Sequence, residues 1–192
     1  MFIAAMQVSV DGRFEGPNGE MDWIGTWEDP FAILPGVEAC VLGGRMYPDY
    51  ERFWSGVRES RGAASPFTGK VASEAEAEYA RLSASIPHFV LSRRLGGAAW
   101  PNTTLLRDVD AVRALREQAR GDVYVVGGGE LVRTLLDERL LDELRLVVHP
   151  VVLGGGPPFL GGAAGPRELS LVDVQSLRLD AVRLVYRARH MA

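Results

Sequence analysis

Apolar residues along the chain gather into short runs, and stretches with helical spacing lie between them. Residues 2–10 form the first run, which ends at Asp11-Gly12, a turn signal. Residues 39–42 form a second run, closed by Gly43-Gly44, and residues 88–92 a third, entered from Pro87. A short strand fits 103–106. The segment 123–126 is continuously apolar, as a strand covered on both faces should be, and 144–152 reads the same way.

The intervening segments are helical in character. Residues 74–85 are dominated by Ala and Glu, strong helix formers. Asp108 can cap a helix from Val109 that sets Val112, Leu115 and Ala119 on one face until Gly121 stops it. A helix over 130–140 presents Leu131, Leu135 and Leu136 together. Residues 55–73, rich in Gly, Ala and Ser, read as a surface loop entering a helix. Near the C-terminus Val182, Leu184, Tyr186 and Ala188 alternate with Arg183, Val185, Arg187 and Arg189. That period of two predicts a strand with one more polar face, antiparallel to 169–174. The sum is a single α/β domain over 1–192, its central mixed sheet parallel early, antiparallel late and flanked by helices.

With 192 residues the chain can bury a full core without metal or disulfide staples. A net charge of −4 gives no sign of a nucleic-acid surface or a membrane-seeking face. The single cysteine, Cys40, excludes an internal disulfide and reads as a small buried thiol within Ala39-Cys40-Val41-Leu42. The apolar start, Met1 to Met6, is too short for a signal peptide or a span, so a cytoplasmic protein is the expectation. Three scattered histidines, His88, His149 and His190, make no metal site.

The most informative stretch is Val125-Val126-Gly127-Gly128-Gly129-Glu130-Leu131, a buried strand running into three glycines and then a helix. Glycines let backbone approach a ligand, and the helix start offers unpaired N–H groups that suit a pyrophosphate. Neither the GxGxxG fingerprint nor a GxxxxGK[ST] loop is present, and Lys70 is the only lysine. A second strand end reads Gly43-Gly44-Arg45-Met46, and a third reads Leu91-Ser92-Arg93-Arg94. In open α/β sheets ligands bind beyond the carboxyl ends of strands, so the three together outline a site for a long, multiply charged nucleotide.

The order of these motifs resembles the dihydrofolate-reductase fold over nearly the whole chain. The matching segments are Ile3-Ala4-Ala5-Met6, Gly44-Arg45, Leu91-Ser92 and Gly127-Gly128-Gly129. By that resemblance Arg45, Ser92 and Arg93 surround the adenosine 2′-phosphate, which implies NADPH rather than NADH. Gly127, Gly128 and Gly129 pack against the pyrophosphate and nicotinamide side, with a cis Gly–Gly peptide. Ala5, Gly44, Met46, Leu91, Val126, Glu130 and Leu131 complete the implied cofactor contacts. Two segments resemble the riboflavin-biosynthesis reductase branch, the RibD C-terminal domain. They are Ser9-Val10-Asp11-Gly12 and the run from His149 to Phe159. The HxE and PCxxC zinc elements of a deaminase are missing, and Val126 stands where the riboflavin enzymes often carry an acid. A stand-alone reductase is therefore the closer match, and the family implies a homodimer.

For chemistry at the substrate, Asp11 is the first candidate, at a strand end beside Gly12, and it would anchor a substrate hydroxyl or amine. Glu28 and Asp29 follow Trp27, as the pterin-binding acid follows a tryptophan in dihydrofolate reductases; they read equally as helix N-terminal charges. Trp23 and Phe159 are candidates for substrate contact, while Trp27, Phe53 and Trp54 read as stacking platform or core. The reading is an NADPH-dependent reductase of a small heterocycle or related carbonyl or imine compound. A true dihydrofolate reductase and a non-catalytic NADPH-binding sensor stand as the alternatives.

Overall fold

The alternation in the sequence becomes eight strands and four α-helices among the residues that the computed structural model describes, 1–24, 30–60, 62–64, 71–162 and 165–189. In chain order they are β1 (Phe2–Ser9), β2 (Val37–Gly43), α1 (Tyr47–Glu59), α2 (Glu74–Ser85), β3 (His88–Leu91), β4 (Thr103–Leu106), α3 (Val109–Gln118), β5 (Asp122–Gly127), α4 (Gly129–Asp137), β6 (Glu143–His149), β7 (Leu169–Ser176) and β8 (Val182–Ala188). The strands make one sheet in the order β4-β3-β2-β5-β1-β6-β8-β7. Pairings from β4 to β6 are parallel, and those of β8 with β6 and β7 are antiparallel. Among the described residues no helix is long and apolar enough to cross a membrane.

Helices cover both faces, and the core divides accordingly. α3 and α4 press Val112, Leu131, Val132 and Leu135 onto Ala4, Val41, Val123 and Val125. On the other face α1 and α2 press Tyr47, Tyr50, Trp54 and Tyr79 onto Ile3, Cys40, Leu42 and Tyr124. Two helix starts follow from local chemistry. Ser73 Oγ accepts from Glu76 N at 3.1 Å while Ser73 N donates to Glu76 Oε2 at 2.8 Å, a reciprocal cap. Asp108 accepts from Ala111 N at 2.9 Å, as its place before Val109 suggests.

Four expectations need correction. The loop assigned to 55–73 starts too early, because α1 runs through Glu59. Tyr47, Tyr50, Trp54 and Val57 are its buried side chains, so the aromatics at 53 and 54 belong to packing, with Phe53 and Trp54 edge to face at 4.8 Å. The helix assigned to 130–140 ends at Asp137, and the strand assigned to 144–152 ends at His149. The deepest residue of β8 is Val185, on the face assigned to arginines. Arg183 lies along the sheet there, bonded to Gln175 and 3.8 Å from Asp173, and so covers its neighbour.

Under α1 and α2 lies a buried polar chain. Tyr79 and Tyr50 hydroxyls are 2.7 Å apart, and Tyr50 Oη is 3.3 Å from His88 Nε2. His88 Nδ1 is 3.0 Å from the Ile86 carbonyl, which can only accept, so Nδ1 carries the proton and Nε2 accepts from Tyr50. Burial holds the imidazole down to about 4, and the bond to Ile86 opposes that shift only in part. An unfolded histidine takes up its proton near 6.5, so between about 6.5 and 4 the unfolded state binds more protons. Stability is therefore full above 6.5 and falls as pH drops towards 4. His149, also held low by burial, acts in the same direction. Urea unfolding of the wild type should lose about 2 kcal/mol more between pH 7 and pH 5 than His88→Phe loses. Equal losses in both proteins would mean that His88 is not the group responsible.

Candidate functional site

The strand order puts the ends of β3, β2, β5 and β1 side by side, and glycines let them meet. Gly44 N donates to Leu91 O at 3.1 Å, tying the end of β2 to that of β3. A side chain at Gly44 would overlap the Ser92 hydroxyl. One step along, a Cβ at Gly43 would lie 3.8 Å from Leu131 Cβ and 3.9 Å from the Gly127 carbonyl. Gly127 has φ +121 and is joined to Gly128 by a cis peptide, the bond the resemblance implies. A Cβ at Gly127 would stand 2.7 Å from Met6 Cε and 3.8 Å from Met46 Sδ, so β1 and the β2 turn both reach this point. At Gly128 a Cβ would meet nothing within 4 Å, so the start of α4 borders open space.

Positive charge lies at the β3 side of this trough. Arg93 and Arg94 are exposed, and Ser92 Oγ accepts from Arg94 N at 3.3 Å and Leu95 N at 3.0 Å. Arg45 pairs with Glu130 in the first turn of α4, but the two side chains are 91% and 65% exposed, so the pair is weak and easily exchanged for a ligand's anion. Ala5, Val126 and Leu131, expected at the cofactor, are buried; their side chains pack into the core on the two faces of the sheet and leave backbone to make any contact. Leu91, Ser92 and Met46 are half-buried at the rim.

Beyond β1 a strap from the loop after β6 closes over the turn at Asp11. Asp11 accepts from Ser9 Oγ at 2.7 Å, Leu153 N at 3.1 Å and Gly154 N at 3.0 Å, and Arg13 stands 3.8 Å away. The Ser9 hydroxyl, then the Leu153 and Gly154 amides, hold its carboxyl at about 2. Asp11 thus carries no proton to give near neutral pH, and its oxygens tie two loops together. Phe159 N donates to Gly12 O at 2.9 Å and Arg13 Nη1 to Gly156 O at 2.6 Å, which lays the strap across the start of α4. Phe159 was expected to touch substrate, yet its ring is 4% exposed in the core beneath α4.

Glu28 and Asp29, with Trp27, lie outside the described residues. The chain just after them is held by Arg145 of β6, which donates to the carbonyls of Phe31 at 2.9 Å and Ala32 at 2.6 Å. Trp23 is described: it donates from Nε1 to Glu20 O at 3.1 Å, and its ring stands edge-on to His149 at 5.4 Å. His149 in turn meets Gln7 Oε1 through Nε2 at 2.7 Å, so this nitrogen donates. No site motif in the sequence marks Gln7 or the side chain of His149. A glutamine inside the apolar run 2–10 is the available signal, since a polar side chain 1% exposed must find a partner.

Comparison with known proteins gives a consistent picture. The profile of the family described as the RibD C-terminal domain matches residues 1–183. An uncharacterised protein of Bacillus subtilis (strain 168), YyaP, is 28% identical across 96% of this chain and 93% of its own. The Thermotoga maritima diaminohydroxyphosphoribosylaminopyrimidine deaminase/5-amino-6-(5-phosphoribosylamino)uracil reductase superposes with a TM-score of 0.67 at 16% identity, over 98% of this chain and 56% of that one. Dihydrofolate reductase of Enterococcus faecalis, solved with NADP(H), superposes with a TM-score of 0.55 at 13% identity, over 99% and 97% of the two chains. The fold is that of dihydrofolate reductase.

The close approach of strap and helix is directly testable. A Cβ at Gly129 would overlap the carbonyl oxygen of Phe159, which is backbone and cannot swing aside. Gly129→Ala should lower stability by about 1–3 kcal/mol in urea unfolding, the usual cost of overpacking. An unchanged midpoint would show that the strap does not rest on the start of α4.

Proposed function

The chain belongs to the RibD C-terminal domain family, and from that premise we propose that it is an NADPH-dependent oxidoreductase acting on a small nitrogen heterocycle or a related carbonyl or imine compound. The observation that carries this reading is the alignment of glycine and arginine strand ends from β3 across β2 and β5 to β1. The trough has the order of charges and surfaces that an elongated dinucleotide phosphate needs. Arg45 and Arg93 offer planar forks for a 2′-phosphate. The first N–H groups of α4, beside the space at Gly128, suit the diphosphate. Ala5 of β1, 1% exposed, gives a flat ring an apolar floor.

Bound NADPH supplies the hydride, and the protein's work is to hold the acceptor against it and keep water out. Trp23, Gln7 and His149 meet at the ends of β1 and β6, where an acceptor beside the floor would lie. Asp11 acts there as an anchor of the closing loops. Val126, uncharged where the riboflavin branch often has an acid, favours a substrate other than the phosphorylated ribosylaminopyrimidine.

The cofactor is tested by titration with NADPH and NADH, following nicotinamide fluorescence. NADPH should bind in the micromolar range and NADH more weakly, and Arg45→Ala or Arg93→Ala should cost NADPH about tenfold, as loss of a charged hydrogen bond does. Binding of neither nucleotide would overturn the reductase reading. NADPH oxidation on adding dihydrofolate would instead identify a dihydrofolate reductase, and tight binding without turnover on any acceptor would favour a sensor.

We also propose that the chain works as a homodimer built on the sheet face at its antiparallel end. Leu146, Leu184 and Val174 stand in register there, as do Leu144, Tyr186 and Leu171, and exposure rises to 54% at Val174 and 56% at Leu171. The charged side chains of these strands, Arg145, Arg183, Arg187 and Asp173 among them, occupy the opposite register. A flat uncharged face is complementary to itself, which a twofold interface requires. Sedimentation should give a dimer for the wild type and a monomer for Leu171→Glu/Val174→Glu. A monomeric wild type, or a dimer that survives both changes, would overturn this assignment.

A further inference from the structure

Arg107 is the first residue after β4, and no motif marks it. Its Nη1 donates to the carbonyls of Ser92 at 2.9 Å and Leu95 at 2.8 Å, the two ends of the four-residue turn that carries Arg93. Ser92 N donates to Leu106 O at 2.9 Å, so the turn is also sewn to the strand from which Arg107 springs. From inside the turn, Ser92 Oγ accepts the amides of Arg94 and Leu95. A hydroxyl has two lone pairs and one hydrogen. With both lone pairs used, what Ser92 has left to offer a ligand is its O–H, a donor suited to a phosphate oxygen. Gly44 leaves that hydroxyl its room, because a side chain there would overlap it.

The brace therefore does three things at once. It fixes the turn at both ends, it sets the direction from which Arg93 leaves the backbone, and it places a permanent guanidinium charge beneath Ser92. Arg93 has no hydrogen bond or ion pair with another described residue, so nothing but the turn itself aims it. We propose that Arg107 is a positioning residue whose hold on the 92–95 turn sets the preference for a dinucleotide with a phosphomonoester over one without. This rests on the NADPH reading above and assigns to one residue, outside the expected contacts, the shape of its phosphate end.

The test pairs a measurement without ligand with one that compares two. Amide exchange at Arg94 and Leu95, followed by NMR on the free protein, reads the turn. Titration with NADPH and NADH reads the preference. In Arg107→Ala, exchange at both amides should quicken and NADPH should bind about tenfold more weakly while NADH stays within about twofold, the scale expected from losing charged hydrogen bonds. Arg107→Lys keeps the charge without the planar fork and should recover NADPH affinity only in part.

Unchanged exchange in Arg107→Ala would overturn the proposal, even if NADPH weakened, because Arg107 would then act by direct contact. Faster exchange with the preference intact would overturn it too, as would full recovery by Lys or equal weakening of both nucleotides. A wild type that binds NADPH no better than NADH would defeat the cofactor reading itself. The exchange data would still report separately on the brace.

Discussion

At three places along one edge of the sheet, backbone and side chains come together where no β-carbon fits. Gly44 sits against the Ser92 hydroxyl, Gly127 against Met6, and Gly129 against the carbonyl of Phe159. These contacts decide how close the ends of β2 and β3, of β5 and β1, and of α4 and the strap can come. Gly44 packs two strand ends so that Arg45 and Arg93 leave from neighbouring points. Gly127 brings the β5 turn down onto the methionines of β1 and the β2 turn. Gly129 lets the strap lie over the helix start, and the strap's other end is held by Asp11. Replace Gly129 and the strap must lift, because its partner there is backbone and packed interiors transmit strain rather than absorb it.

Much of this edge was legible because glycine and the cap residues carry their geometry in their identity. The three strand ends, the helix after Asp108 and the cis Gly127–Gly128 peptide could be expected from residues and family resemblance. α1 was not, because Pro48, Gly56 and four aromatics are poor helix formers, and the helix exists through what it buries rather than through propensity. Its spacing at 47, 50, 54 and 57 was there to be read, but Gly and Ser after residue 55 suggested a loop. The role of Asp11 was hidden for a different reason. An Asp-Gly turn gives no sign that its carboxylate will be met by amides 142 and 143 residues away. Arg107 was equally silent, since its work is done on the backbone of another segment.

The distribution of charge adds a second level. The chain is acidic overall, with a net charge of −4, yet Arg45, Arg93, Arg94 and Arg107 are gathered at the ends of β2, β3 and β4. A local positive field in a net negative protein draws an anion to one place and repels it elsewhere. Glu130 tempers that field at the start of α4 by pairing with Arg45. Both side chains are largely in water, so the pair costs little to break, and a phosphate arriving at Arg45 replaces one carboxylate with a stronger acceptor.

The change from parallel to antiparallel pairing at β6 separates the two faces of the molecule's work. Parallel strands need crossovers, and the crossover helices bury both sides of the sheet from β4 to β1, which leaves the strand ends as the place where a ligand can enter. β7 and β8 return without an α-helix between them, and among the described residues the apolar rows that run from Leu146 through Leu184 to Val174 become exposed toward β7. β6 belongs to both regions. One edge pairs with β1 and brings His149 to Gln7 at the trough; the other pairs with β8 and carries the bare apolar rows. Side chains on one strand alternate between faces, so Arg145 can hold the 31–32 segment while Leu146, one residue on, faces the opposite side. A partner packed on that bare face would therefore press on the strand that ends at His149, and assembly and the substrate end of the trough would share one piece of backbone.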